Sequence, residues 1–215
     1  MSRLTDTQAD MQAEETLRRL ALNISATIQQ CRDVLENRVV DVPDLSGAEF
    51  IPPDQNGLKT LPSAFQFVEG LTSLSHRSSM QQIFEQFRIV EKLLIWGHAP
   101  GYNKDNVGQE FLDNYCHALL TGPDGPLKCA SPLGAFVLFG PDTLYKDHSH
   151  APNEVYLALT GDGEWRVGHH DWKRLDAGQT IYIPSNAVHA IRTSTKPLLT
   201  FSFWLEAGEM DEIVI

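Results

Sequence analysis

The chain has 215 residues, a formal net charge of -11, 42% apolar residues and 21% charged residues. That balance belongs to an ordinary folded chain long enough to bury a sizeable core, and it excludes wholesale disorder. Apart from the short "HHDWKR" there is no Lys/Arg cluster, so the basic patch that nucleic acid or an anionic membrane surface requires is missing.

The opening "MSRLTDTQADMQAEETLRRL" has no apolar run of the signal-peptide kind. Later apolar runs such as "IVEKLLIW" are too short to span a bilayer. The expectation is a cytoplasmic protein with no membrane insertion. Three cysteines, Cys31, Cys116 and Cys129, are widely spaced and form no CxxC. They predict free thiols in a reducing compartment, neither a disulfide framework nor a thiolate metal site.

In chain order, Leu17, Leu20, Ala21, Ile24, Ile28, Cys31 and Leu35 recur at steps of three and four. They predict one amphipathic helix, with Thr5 or Asp6 as its cap. The Pro- and Gly-marked stretch from Val39 to Phe65 predicts an irregular connector. Two further helices are predicted, over Ser78 to Trp96 and over Asn106 to Leu120. From Leu133 onward the pattern changes to short runs rich in β-branched and aromatic residues: "GAFVLFG", "EVYLALTG", "GEWRVG", "QTIYIPS", "AVHAIRTS" and "LLTFSFWLE". Gly, Pro, Asp and Asn divide them, as in a small antiparallel sandwich or barrel. The predicted class is α+β with a mainly β core. A helical region over residues 1–125, able to contribute edge strands, precedes a β domain over 126–215.

The chemistry concentrates in "YKDHSHAPNEVYLALTG", Tyr145 to Gly161. Alternate side chains of an extended segment share a face. His148, His150, Glu154, Tyr156 and Ala158 have one parity, with Pro152 at a bend. Val155, Leu157 and Leu159 have the other. Two imidazoles and a carboxylate in one space suit a first-row divalent metal. A hairpin would return His189, just beyond a Pro-Ser-Asn turn, to the same place.

The spacing His148-Ser-His150-x3-Glu154-x6-Gly161 resembles the first cupin motif. The spacing Gly178-x5-Pro184-x-Asn186-x2-His189 resembles the second, with Asn186 where the family usually has Gly. The resemblance implies a cupin double-stranded β-barrel with His148, His150, Glu154 and His189 as ligands of one divalent transition metal: zinc, iron, manganese, nickel or cobalt.

Tyr156 two residues after Glu154, Tyr145 three before His148, the late His189 and the helical first half together resemble the bacterial dimethylsulfoniopropionate (DMSP) lyases. That resemblance implies a carbon–sulfur lyase acting on a small zwitterionic substrate. β-Elimination would release dimethyl sulfide and acrylate. Tyr156 would be the base for the α-proton while the metal binds the substrate carboxylate, and Tyr145 would orient substrate or serve as the alternative base. A homodimer is allowed. Two other readings stay open on the residues alone: a non-haem iron dioxygenase acting on a small acid or thiol, and a non-enzymatic small-molecule-binding cupin. Aromatic faces that could receive a sulfonium include Tyr145, Tyr182, Trp165, Phe201, Phe203 and Trp204; parity alone does not say which face inward.

Overall fold

The computed structural model of the chain describes residues 6–30, 47–52, 61–71, 78–130, 132–206 and 213–215. The first apolar stripe forms helix α1 (Asp6–Gln30). Leu17, Leu20, Ala21, Ile24 and Ile28 are all buried. Thr5, Cys31 and Leu35, expected to cap or extend this helix, lie outside the described residues. Helix α1 packs against α2 (Ser78–Val90). A 3-10 segment, Ser63–Gly70, lies between them in the chain.

Helix α2 stops at Val90, short of the expected Trp96. The chain turns through Glu91–Leu94, and the Trp96 indole folds back to donate to the Glu91 carbonyl at 2.7 Å. A side chain thus satisfies a carbonyl that a continuing helix would have used.

The second correction is larger. Only Gln109–Asn114 is helical (α3), and Tyr115–Gly122 is a strand, β3. Strands β1 (Glu49–Phe50), β2 (Trp96–Gly97) and β4 (Leu127–Lys128) join the same sheet as β3. So do β5 (Leu133–Phe139), β7 (Glu154–Ala158), β10 (Thr180–Ile183) and β12 (Leu198–Trp204). The order is β1-β4-β3-β5-β12-β7-β10, with β2 also paired to β3. The segment before residue 125 therefore supplies not only the edge strand β1 but also β3, which lies inside the sheet.

A second sheet has the order β6-β11-β8-β9, from β6 (Leu144–His148), β8 (Gly163–Val167), β9 (Lys173–Leu175) and β11 (His189–Thr193). Pairing is antiparallel except between β3 and β4. The result is a cupin-like core of two sheets. Among the described residues no hydrogen-bonded ladder joins them into a closed barrel.

Both faces of the large sheet are covered. Val155, Leu157, Phe136, Leu138, Phe201 and Phe203 pack outward against α1 and α2. Val137, Phe139, Tyr156, Ala158 and Leu198 pack inward against Tyr145, Trp165 and Ile191 of the small sheet. Burial on both faces explains the unbroken apolar run of β5, and the mostly apolar β12, in which only Thr200 and Ser202 interrupt the run. The same double burial hid β3, because "YCHALLTG" alternates too little to distinguish it from a buried helix.

Candidate metal centre

Strand alternation divides the Glu154 end of the first motif as expected. Val155 and Leu157 join the outer core, while Glu154 and Tyr156 face the space between the sheets. Glu154 lies opposite Ile183 of β10 and Trp204 of β12. His189 lies opposite His148 across the β6/β11 pair. The turn leading to His189 depends on Asn186, whose φ of 58° is left-handed. Asn tolerates that region better than most residues, so it can stand where the motif usually has Gly. Its amide also donates to the His150 carbonyl at 2.9 Å, tying this turn to the first motif.

His150, Glu154 and His189 come together, with ligand atoms within 4.8 Å of one another and all three residues buried. His150 Nε2 is 3.0 Å from Glu154 Oε2, and His189 Nε2 is 3.5 Å from the same oxygen. His148 is outside that group of three, but its ring centre is 4.0 Å from that of His189 and 6.4 Å from that of His150.

Each imidazole is oriented by a main-chain carbonyl. His148 Nδ1 meets Lys146 O at 2.8 Å, His150 Nδ1 meets Pro152 O at 2.9 Å, and His189 Nδ1 meets Ala187 O at 2.9 Å. A carbonyl only accepts, so Nδ1 carries the hydrogen in all three rings. In a neutral ring the lone pair is then left at Nε2.

That donor set fits a cation. A neutral His150 would oppose a lone pair to a carboxylate oxygen 3.0 Å away, an arrangement that requires a proton or a metal ion. His189 Nε2 is buried with no hydrogen-bond partner among the described residues. Burial pushes the Glu154 carboxyl upward, but the adjacent imidazoles of His150 and His189 outweigh it and hold the group well below the usual carboxylate range. His150 is the converse: burial lowers it, and Glu154 overrides burial to raise it. His148 is held well below 6.5 by burial, then by the neighbouring His189. An ionised carboxylate and neutral imidazoles are the ligand forms that divalent metals take.

Both sequence-predicted tyrosines line the same cavity of ≈ 20 Å³ as His148, His150 and Glu154. Tyr156 sits 6.5 Å from His189 between ring centres. Burial raises its phenol well above 10, and the charge of Glu154 adds to this. Tyr145 stacks on His148 with ring centres 3.7 Å apart and planes at 21°. Burial, then Tyr102 and Tyr115, raise the Tyr145 phenol as well.

Sequence reasoning missed several neighbours. The Tyr102 hydroxyl bonds the Tyr145 hydroxyl, and Tyr115 lines the cavity from β3. Ser202 and Trp204 both donate to Glu154 Oε1. The short-period alternation of β12 could have pointed to Ser202, the one hydroxyl between Phe201 and Phe203. Of the aromatic candidates for a sulfonium, Tyr145 and Trp204 line the cavity. Phe201 and Phe203 belong to the outer core, Trp165 packs beside Tyr156, and Tyr182 bonds Asn153. His169 and His170 are exposed in the turn after β8, as such loops favour. A larger apolar pocket of ≈ 480 Å³ lies against β2 and β3. It holds no cluster of ligating side chains among the described residues; the candidate ligands His148, His150 and Glu154 line the smaller cavity instead.

The family model described as DMSP lyase matches residues 50–200, more than half of the chain. The chain belongs to the DMSP lyase family. Within this family it is 33% identical over 104 residues to the DMSP lyase DddQ of Ruegeria pomeroyi. That match covers 48% of this chain and 51% of the relative, so the chain spans about half the length of the relative it matches. The solved structure of DddQ from Ruegeria pomeroyi DSS-3 superposes with a TM-score of 0.72 at 21% identity, over 94% of this chain and 96% of that one. A structure from work on the DMSP lyases RdDddP and RnDddQII gives 0.73 at 23% identity, over 94% and 98%. At these identities the likeness is one of fold. It extends the family's architecture across the helices as well as the two sheets. No described helix is long and apolar enough to cross a membrane.

Proposed function

We propose that this member of the family is a metal-dependent carbon–sulfur lyase that cleaves DMSP to dimethyl sulfide and acrylate. The observation that carries the reading is one buried cavity lined by both His150 and Glu154 of the ligand cluster and by Tyr156. His150, Glu154 and His189 would hold the metal, with His148 as the fourth ligand. A divalent cation bound there supplies Lewis-acid stabilisation to charge developing beside the substrate carboxylate, and it favours the phenolate of a neighbouring tyrosine.

The protein's own groups do the rest. Tyr156 Oη takes the α-proton. The released C–H electron pair becomes the new π bond, and the C–S bond breaks with its pair leaving on sulfur. The cationic sulfonium departs as a neutral sulfide, so no acid is needed for the leaving group. Tyr145, fixed between His148 and Tyr102, orients the substrate. Tyr145 and Trp204 offer aromatic faces to the sulfonium. The cavity of ≈ 20 Å³ admits about one water-sized group, so a five-carbon zwitterion must displace part of its lining to enter.

The test is a headspace assay for dimethyl sulfide, using DMSP with the purified protein, after chelation and after metal return, paired with metal analysis. The expected result is one metal per chain, with activity lost on chelation and restored by metal. Undiminished release from metal-free protein would overturn the metal dependence. Metal-loaded protein that releases no sulfide but consumes oxygen with a small acid or thiol would replace the lyase reading with a dioxygenase.

A further inference from the structure

The two oxygens of Glu154 have different surroundings. Oε2 faces the Nε2 atoms of His150 and His189. Oε1 points away from them, into β12. There it accepts from the Ser202 hydroxyl and, at 3.1 Å, from the Trp204 indole. An ionised carboxylate only accepts, and an indole N–H only donates, so the direction of both bonds is fixed. Glu154, Ser202 and Trp204 are 1%, 5% and 2% exposed, so water does not compete for these bonds.

We infer that Ser202 and Trp204 are positioning residues of the metal centre, which hold Glu154 as a one-oxygen ligand by occupying Oε1. This rests on the reading of the cluster as a metal site. The terminal torsion of a glutamate is broad and weakly preferred, so nothing within Glu154 itself selects Oε2. Two donors on one oxygen do. They fill its lone-pair directions and aim the other oxygen at the histidines. Register makes the arrangement possible: Trp204 lies directly opposite Glu154 and Ser202 opposite Tyr156, two residues along β7. Freed from these donors, the carboxylate could rotate or chelate through both oxygens, changing both the affinity and the coordination number of the site.

The experiment measures zinc affinity by competition with a chromophoric chelator, and the visible spectrum of the cobalt-substituted protein. It compares wild type with Ser202→Ala, Ser202→Thr, Trp204→Phe and His150→Ala. Loss of a partner that orients a ligand weakens metal binding by about 10–100-fold. Ser202→Ala should lose zinc affinity in that range and weaken the cobalt d–d bands as the coordination number rises. Ser202→Thr, which keeps the hydroxyl, should recover both readouts. Trp204→Phe, which removes the other donor to Oε1 at 3.1 Å, should also lose zinc affinity. Thermal melting of the metal-free forms separates these effects from misfolding. If His150→Ala abolishes binding while Ser202→Ala binds zinc within about twofold of wild type and keeps its cobalt spectrum, the positioning role is overturned and the metal site stands. If wild type and His150→Ala bind zinc equally, the metal-site reading fails and takes this inference with it.

Discussion

The two faces of the large sheet are built from the same strands and are chemically opposite. On the helix-covered face, Phe136, Leu138, Val155, Leu157, Phe201 and Phe203 meet Leu17, Ile24, Met80, Ile83 and Phe87. On the other face, one residue out of step, lie Glu154, Tyr156 and Ser202. A β-strand gives one parity to each side, so a five-residue strand such as β7 serves both. The outer face has only apolar surface to bury. The inner face keeps an ionised carboxylate, three imidazoles and several phenols out of water, each of which costs free energy unless paired. The outer face therefore acts as the stabilising half, offsetting the expense of a buried polar site. That division of labour predicts that substitutions on the two faces separate activity from stability.

The largest separation is expected at Tyr156. Tyr156→Phe should lower turnover on DMSP by about 10²–10⁴-fold, while metal content and melting temperature stay near wild type. Near wild-type release of dimethyl sulfide from this variant would remove Tyr156 as the base. The mirror experiment is Phe136→Ala on the outer face. Phe136 is fully buried, with ring centres 4.9 Å from Phe87 and 5.0 Å from Phe201. Its truncation should cost about 3–5 kcal/mol in urea unfolding, while the fraction still folded binds metal as tightly as before. A change in metal affinity comparable to that of His150→Ala would show that the two faces are coupled.

A smaller effect tests the inner face away from the ligands. Burial, then the nearby His98, lowers His117 to about 4. Its unfolded value is near 6.5, so below that pH the unfolded chain binds a proton that the folded protein refuses. Stability from this group is present above about pH 6.5 and lost as pH falls toward 4, by on the order of 3 kcal/mol. Urea unfolding of metal-free protein across that range should fall more steeply for wild type than for His117→Gln; equal slopes would assign the acid sensitivity elsewhere. The smallest effect should come from a pair on neither face. Arg19 and Glu15 on α1 are 68% and 63% exposed, and Arg19→Ala should change stability by less than about 1 kcal/mol.

How legible each part was follows from the same contrast. His148, His150 and Glu154 are legible because their motif is local and strand parity aligns it. His189 is legible only through the spacing of the second motif, since β11 reaches the site by pairing with β6 and β8 rather than through the expected hairpin. The strands from Leu133 onward are legible because Gly, Pro and Asn separate them. Strand β3 is not, since burial on both faces erases its period. The apolar pattern runs past the end of α2 because Leu94 and Trp96 are buried, and Leu93 half-buried, for reasons other than helical packing. Ser202 is 48 residues from Glu154, and no local pattern announces a pairing at that range. Tyr102 sits in a loop whose approach to Tyr145 depends on how α3 and β3 are placed.

The three imidazoles take their bearing from amide carbonyls at Lys146, Pro152 and Ala187. Every amino acid carries that carbonyl, so replacing those side chains leaves the acceptors in place. Drift in the sequence around the site can alter charge, size and polarity there without turning a ring. To misalign the ligands, a change must bend the path of the chain itself.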